Sequence, residues 1–167
     1  MGITMNRLKN AMDIGIVCID NTKLSPVAAV LFRSYALQSN IPKVRDIQFY
    51  DAGYKRGGEV ANSAKGFLQT QGFGTTYMLE SRRIDKQWIK SKDIILTMDK
   101  FIKRDIIYDY PLVHQDLKEK VFTLTEIAGI QEKIRDPGEN YEEDLDSVFL
   151  LIDKCCKKII KKLEQAN

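Results

Sequence analysis

Four short apolar runs recur along the chain, and each is followed by a segment whose apolar residues repeat at helical spacing. Asp13 to Cys18 (DIGIVC) reads as a first strand, and Pro26 to Ser39 carries Val27, Val30, Leu31 and Tyr35 on one helical face. Ile47 to Asp51 (IQFYD) reads as a second strand, with a turn around Gly53, Gly57 and Gly58 before a helix bearing Ala61, Ala64, Phe67 and Leu68. Asp93 to Met98 (DIILTM) and Lys120 to Leu124 (KVFTL) supply two more strands, the former followed by a helix over Lys100 to about Tyr108. A long last helix has the stripe Leu145, Val148, Phe149, Ile152, Cys155, Cys156, Ile159 and Leu163. Strands that alternate with helices imply βαβ units, and therefore a parallel sheet covered on both faces. Ligands of such sheets bind beyond the carboxyl ends of the strands, which directs attention to the loops that leave Cys18, Asp51, Met98 and Leu124.

With 167 residues, 44% of them apolar, the chain has material for one packed domain and too little for two of ordinary size. A net charge of +3 lacks the clustered excess that marks nucleic-acid binders, so no nucleic-acid partner is expected. No apolar run approaches membrane-spanning length, and the opening MGITMNRLKNAMD has no stretch suited to a signal peptide. Met1-Gly2 opens like an acylation signal, but Asn6 stands where Ser or Thr is required. The expectation is a cytoplasmic protein without a membrane partner. Three cysteines, two of them adjacent, form no disulfide framework and fit free thiols in a reducing compartment. The single histidine, His114, has no Cys or carboxylate pattern around it, so neither a metal nor a cofactor is expected.

The loop after the first strand concentrates the chemistry. It runs Cys18-Ile19-Asp20-Asn21-Thr22-Lys23-Leu24-Ser25-Pro26, with Ser25 in the position of an N-cap and Pro26 at the first helical position. A loop wrapping into a helix N-terminus aims several backbone N–H groups into one concavity and makes an anion site. A cysteine at its mouth feels the same dipole, which favours the nucleophilic thiolate. A small buried residue at a strand end is the alternative reading of Cys18.

This stretch resembles the phosphate loop of the low-molecular-weight protein tyrosine phosphatases, V-C-x-G-N-x-C-R-S-P. Val17, Cys18, Asn21, Ser25 and Pro26 match; Asp20 replaces the Gly, Lys23 a Cys, and Leu24 the catalytic Arg. Asp51-Ala52-Gly53 resembles the family's S-A-G, Ser81-Arg82-Arg83-Ile84 its A-R-Q-I, and Asp93 to Asp99 with Arg104-Asp105 its D-L-I-L-A-M-D followed by R-D. Val121 to Leu124, followed by Ile134-Arg135-Asp136-Pro137, resembles the approach to the family's D-P loop, and Cys155-Cys156 a C-C pair on its last helix. The resemblance covers residues 13–167 as one phosphatase-like domain, with residues 1–12 as an N-terminal extension. It implies a three-layer, doubly wound, four-stranded parallel sheet.

The resemblance also implies roles. Cys18 would attack phosphorus to give a cysteinyl-phosphate, and Asp136 would protonate the leaving oxygen and then activate water. Residues Ile19, Asp20, Asn21, Thr22, Lys23, Leu24 and Ser25 would line the phosphate, with Ser25 supporting the thiolate and Asn21 holding the loop's shape. Tyr54 and Tyr141 are the candidates for aromatic walls around the substrate, and Thr22 matches the related bacterial protein-arginine phosphatases. The partner would be a phosphorylated protein or small phosphomonoester, with inorganic phosphate or sulfate also fitting the loop. Leu24 supplies neither the charge nor the bidentate hydrogen bonds of arginine, a loss worth roughly 10³–10⁵ in rate. Asp20 repels a dianion and raises the thiol pKa; Lys23 is a candidate to neutralise it, and Lys23, Arg56 or another cation a candidate to replace the lost guanidinium.

Two functions compete on these residues: a weakly active cysteine phosphatase, and a pseudophosphatase that binds a phosphorylated or acidic partner without turnover. An arsenate reductase would need relay cysteines, whereas Cys155 and Cys156 lie on the apolar stripe. A phosphocysteine carrier similar to the sugar-transport IIB proteins would work without an arginine, but the chain is longer than those domains.

Overall fold

The computed structural model describes residues 2–74, 82–110, 117–136 and 145–167. Ser81, His114, Pro137 and Tyr141 lie outside the described residues.

The central strand β1 (Asp13–Cys18) pairs in parallel with β2 (Gln48–Gly53) on one side and β3 (Ile94–Thr97) on the other; β4 (Val121–Thr123) pairs with β3. The order β2-β1-β3-β4 reverses direction at β1, so the loop after Cys18 emerges at the topological switch point of the sheet. Register places Cys18 level with Gly53, which brings the turn after β2 alongside that loop.

One face is covered by α2 (Leu24–Leu37), which packs on β1, β2 and the long α8 (Leu145–Ala166). Helix α1 (Gly2–Asn10) also lies on α8 and sends Leu8 into the core, with Ala11 just beyond it. The other face carries α6 (Lys100–Asp109) on β3 and β4, and α5 (Lys86–Ser91), whose Trp88 lies over Gly15. A Cβ at Gly15 would stand 2.4 Å from the Trp88 ring, so β1 needs glycine there. Three short α-helices, α3 (Pro42–Asp46), α4 (Asn62–Thr70) and α7 (Leu124–Ala128), and a 3-10 turn over Leu117–Glu119 complete the described chain. No described helix is long and apolar enough to cross a membrane.

Local sequence explains the element boundaries. Asp85 caps α5 by accepting from the Trp88 N–H at 2.8 Å, and Asp99 caps α6 through the Ile102 N–H at 2.9 Å. Thr123 and Glu126 form a reciprocal capping box at α7, which ends on Gly129 at φ 73°. The helix after Cys18 departs from expectation at its start. Helix α2 begins at Leu24, and Lys23 occupies the capping position with no side-chain cap. Ser25 cannot cap because its hydroxyl is turned inward to Cys18 and Asn21. Pro26 is still tolerated, since N–H groups of a first turn have no intrahelical partner. Helices α3 and α7 are not foreseen by periodicity; each is five residues long, too short to show it.

A candidate anion loop at the end of the central strand

Cys18 is the last residue of β1 and is 1% exposed. From there the chain turns through Ile19 to Lys23, and the segment after β2 braces this turn from outside. Tyr54 N–H donates to the Cys18 carbonyl at 2.7 Å, Lys55 N–H to Ile19 at 2.9 Å, and Ala61 N–H to Thr22 at 2.8 Å. With their carbonyls tied outward, the loop's peptide groups are held in one orientation. Gly53 makes this brace possible, because a Cβ there would lie 1.9 Å from the Arg56 carbonyl oxygen and 2.9 Å from the Asp20 carbonyl carbon.

Asn21 takes the left-handed conformation at φ 57°, a region Asn enters more readily than most residues. Its amide donates to Ser25 Oγ and to Asp51 Oδ2, both at 2.8 Å, and its carbonyl accepts from the Arg82 N–H at 3.1 Å. The loop is thereby tied to the end of β2 and to the chain bridged with Gly53. Asp51 sits 3.7 Å from Arg33, and its burial pushes its carboxyl above the usual range. The motif assigns the loop's shape to Asn21 and gives no role to Asp51. An acidic side chain at the end of β2, level with the strand that feeds an Asn-containing turn, is the signal in the sequence that could have found it.

Ser25 is fully buried, with its hydroxyl 2.9 Å from Cys18 Sγ and 3.4 Å from the Ala52 carbonyl. One hydroxyl proton serves two acceptors. When Cys18 is a thiol, its S–H can donate to Ser25 Oγ while the Ser25 hydroxyl turns to Ala52; when Cys18 is a thiolate, the hydroxyl turns to sulfur.

The thiol is the resting form. Burial first, then the Asp136 carboxylate, push Cys18 from its ordinary 9.0 up to about 12; the Ser25 hydroxyl and backbone N–H pull the other way, and Asp20 adds to the rise. The expectation of a thiolate stabilised by the helix N-terminus is corrected on this point. Burial and two carboxylates outweigh the hydrogen bonds from Ser25.

Those carboxylates occupy donors of the loop itself. Asp136 Oδ2 accepts from the Ile19 N–H at 2.7 Å, so the structure brings the two ends of the predicted site together across 117 residues. Asp20, 5% exposed, accepts from the Thr22 N–H at 3.2 Å and from the Thr22 hydroxyl at 2.7 Å. Thr22 therefore spends its hydroxyl on Asp20, and its methyl group faces Gly58. Lys23 is half-buried at the start of α2, and the Leu24 side chain is wholly within the core. Tyr54 is half-buried and donates its hydroxyl to Asp109 at the end of α6, which fixes the ring beside the loop. A cavity of about 740 Å³ opens next to Asp136, with Met98, Phe101, Thr123 and Arg135 among its walls.

Cys155 and Cys156 are buried on α8, where Cys156 Sγ lies 3.9 Å from the Ala28 carbonyl of α2. Burial raises both thiols, Cys155 to about 12. Among the described residues no group of three or more His, Cys, Asp or Glu side chains is placed to hold a metal.

Comparison with known proteins gives this geometry a lineage. The chain is similar to the YwlE arginine phosphatase from Geobacillus stearothermophilus, at 25% identity over 92% of this chain and 94% of that one, with a TM-score of 0.76. It shares its fold with the tyrosine phosphatase Wzb from Escherichia coli K30, solved in complex with sulphate, at 18% identity, 92% and 99% coverage and a TM-score of 0.75. A low molecular weight phosphotyrosine phosphatase from Vibrio cholerae O395 superposes at a TM-score of 0.77, with 22% identity over 92% and 97% of the two chains. No curated protein sequence matches the chain. The family model of the low molecular weight phosphotyrosine protein phosphatases matches residues 13–167, and the chain belongs to that family.

Proposed function

We propose that the chain is a slow cysteine-dependent phosphomonoester hydrolase. The observation that carries this reading is the Asp136 carboxylate on the Ile19 N–H: the loop already accepts an anionic oxygen at its first donor, and the group that holds it there is the candidate acid. A phosphoryl group entering the loop takes that donor and displaces the carboxylate toward the leaving oxygen.

The steps balance without any other group. The Cys18 sulfur attacks phosphorus, the bond to the leaving oxygen breaks, and protonated Asp136 gives that oxygen its proton. Water then loses a proton to the Asp136 carboxylate and attacks phosphorus, breaking the P–S bond and releasing inorganic phosphate. A resting thiol is compatible with this route. A thiol facing a phosphate dianion has the same proton count as a thiolate facing a monoanion, and the substrate oxygen can take the sulfur's proton. Asp136 must carry its proton when the leaving oxygen departs, and as a carboxylate it disfavours the Cys18 thiolate. Without the guanidinium, turnover stands roughly 10³–10⁵ below that of a loop that has one.

A second reading, a pseudophosphatase that binds a phosphorylated or acidic partner, is favoured by one observation: Asp20 keeps the Thr22 N–H for itself while Leu24 faces the core. Hydrolysis of para-nitrophenyl phosphate by the protein and its Cys18→Ser variant separates the two. The hydrolase reading predicts phosphate release that disappears in the variant; equal release from both proteins overturns it and leaves the binding role.

A further inference from the structure

The amino ends of the strands form a second charged concavity, on the far side of the sheet from Cys18. A cavity of about 530 Å³ is lined there by Arg7 of α1, by Lys90 and Lys92 at the end of α5, and by Asp93 and Lys120, which precede β3 and β4. Asn6 and Asn10 of α1 add two amides to its wall. The lining thus holds four cations and one carboxylate, with Asp13 and Asp85 acting on Lys92 from outside it; Asp93 is already engaged, its Oδ2 accepting from the backbone N–H groups of Met12 and Asp13 at 2.8 and 2.9 Å.

Two of the cations are buried. Lys92 is 7% exposed, and its ammonium rests over the Tyr50 ring at 4.1 Å and the Trp88 ring at 4.8 Å, with Ser91 Oγ at 2.6 Å. Lys120 is 4% exposed and has one long contact, 3.4 Å to the Lys90 carbonyl, for three N–H donors. Its surroundings do not compensate. Burial holds Lys120 below the usual lysine range, and Arg7 and Lys92 push it further in that direction while Asp93 alone opposes them. Arg7 reaches Glu119 at 3.4 Å, but that carboxylate is half exposed and lies outside the lining. Buried ammonium groups are ordinarily paired.

We propose that this concavity is a binding site for the phosphate group of a small molecule, closed on one side by α1. An oxyanion there gives Lys120 the acceptors it lacks and neutralises the repulsion among Arg7, Lys92 and Lys120, while the two asparagine amides supply further donors. The volume exceeds that of one phosphate ion and leaves room for a small organic portion. The family match begins at residue 13, so Asn6, Arg7 and Asn10 are contributed by chain outside it. Leu8 and Ala11 anchor this helix in the core, which sets Arg7 at the rim rather than on a loose tail.

The chain supplies its own reporter, because Trp88 is the sole tryptophan and touches Lys92. Trp88 emission and thermal midpoint are followed while inorganic phosphate, and separately pyrophosphate, is added against a chloride control of equal ionic strength. The proposal predicts a saturable response that chloride does not reproduce, with the dissociation constant raised about tenfold or more in both Lys120→Gln and Arg7→Gln. Arg7 is half-buried on a surface helix, so its variant keeps the test intact if Lys120→Gln folds poorly. A tighter response to pyrophosphate assigns the site to phosphorylated small molecules, and an equal one to free phosphate. No saturable response, or a dissociation constant unchanged in the variants, overturns the proposal; the latter places binding in the Cys18 loop.

Discussion

Replacing Asp136 with Asn removes a charge from the loop while leaving an oxygen that can accept from the Ile19 N–H, and it should make Cys18 more reactive. Cys18 is pushed from its ordinary 9.0 up to about 12, which corresponds to about 4 kcal/mol against the thiolate. At neutral pH roughly one thiol in 10⁵ is then ionised, against about one in a hundred of an unperturbed cysteine. Alkylation of Cys18 by iodoacetamide should therefore run more than about 10³-fold slower than that of a free thiol. Burial is the larger cause and the Asp136 carboxylate the next. That carboxylate is held on the Ile19 N–H, next to Cys18, where a unit charge at an effective dielectric constant near 20 is worth roughly 1–3 kcal/mol. Asp136→Asn should accordingly speed alkylation about 10- to 100-fold near neutral pH, and Asp20→Asn, which removes the smallest of the named influences, should have less effect. Peptide mapping assigns the adduct to Cys18, with buried Cys155 and Cys156 as internal references. An Asp136→Asn protein alkylated no faster at Cys18 than the parent would refute the electrostatic account.

Other perturbations test the frame around the sulfur. Ser25→Ala leaves Cys18 without its hydroxyl partner and removes one acceptor of the buried Asn21 amide, so denaturant unfolding should show a loss of about 1–3 kcal/mol, with a further rise of the thiol's pKa. Gly53→Ala forces backbone to move, because its Cβ would meet the Arg56 carbonyl at 1.9 Å; a loss of about 3 kcal/mol or more is expected, with any Cys18 activity lost alongside. Stability should also fall in alkali. Three buried thiols ionise at higher pH in the folded chain than in the unfolded one, so their contribution is whole below about pH 9 and is lost as the pH rises, toward about 12 for Cys18 and Cys155. One unit above 9 this amounts to about 1.4 kcal/mol per thiol, and Cys156→Ala should flatten the slope of melting temperature against pH.

The sheet was legible because β1, β3 and β4 are short apolar runs, β2 alternates exposed and buried residues at its start, and the longer helices carry clear stripes. The five-residue α3 and α7 escaped because fewer than two turns show no periodicity, and they rest on tertiary contacts with α2, α8 and β4. The loop's residues were legible from motif, and the meeting of Cys18 with Ser25 was implied by it, whereas the Asp136 carboxylate on the Ile19 N–H was not. The ionisation of Cys18 was not. A helix N-terminus argues for a thiolate, and only three-dimensional burial, together with a carboxylate 118 positions away, reverses the sign. Ser25 misled for a related reason: a hydroxyl before a proline reads as a cap until Asn21 and Cys18 are seen to claim it. The Lys120 concavity was invisible to periodicity and motif alike, since its cations come from α1, the end of α5 and the turn before β4.

The central claim is that Cys18 accepts a phosphoryl group without an arginine in its loop. Mixing the protein with an aryl phosphate at mildly acidic pH, quenching in acid and measuring intact mass tests it directly. The account predicts a species heavier by one PO₃ group, mapped to Cys18, absent in Cys18→Ser and longer-lived in Asp136→Asn, where the base that activates water is gone. A protein that stays unmodified at Cys18 in both the parent and the Asp136→Asn variant would contradict it.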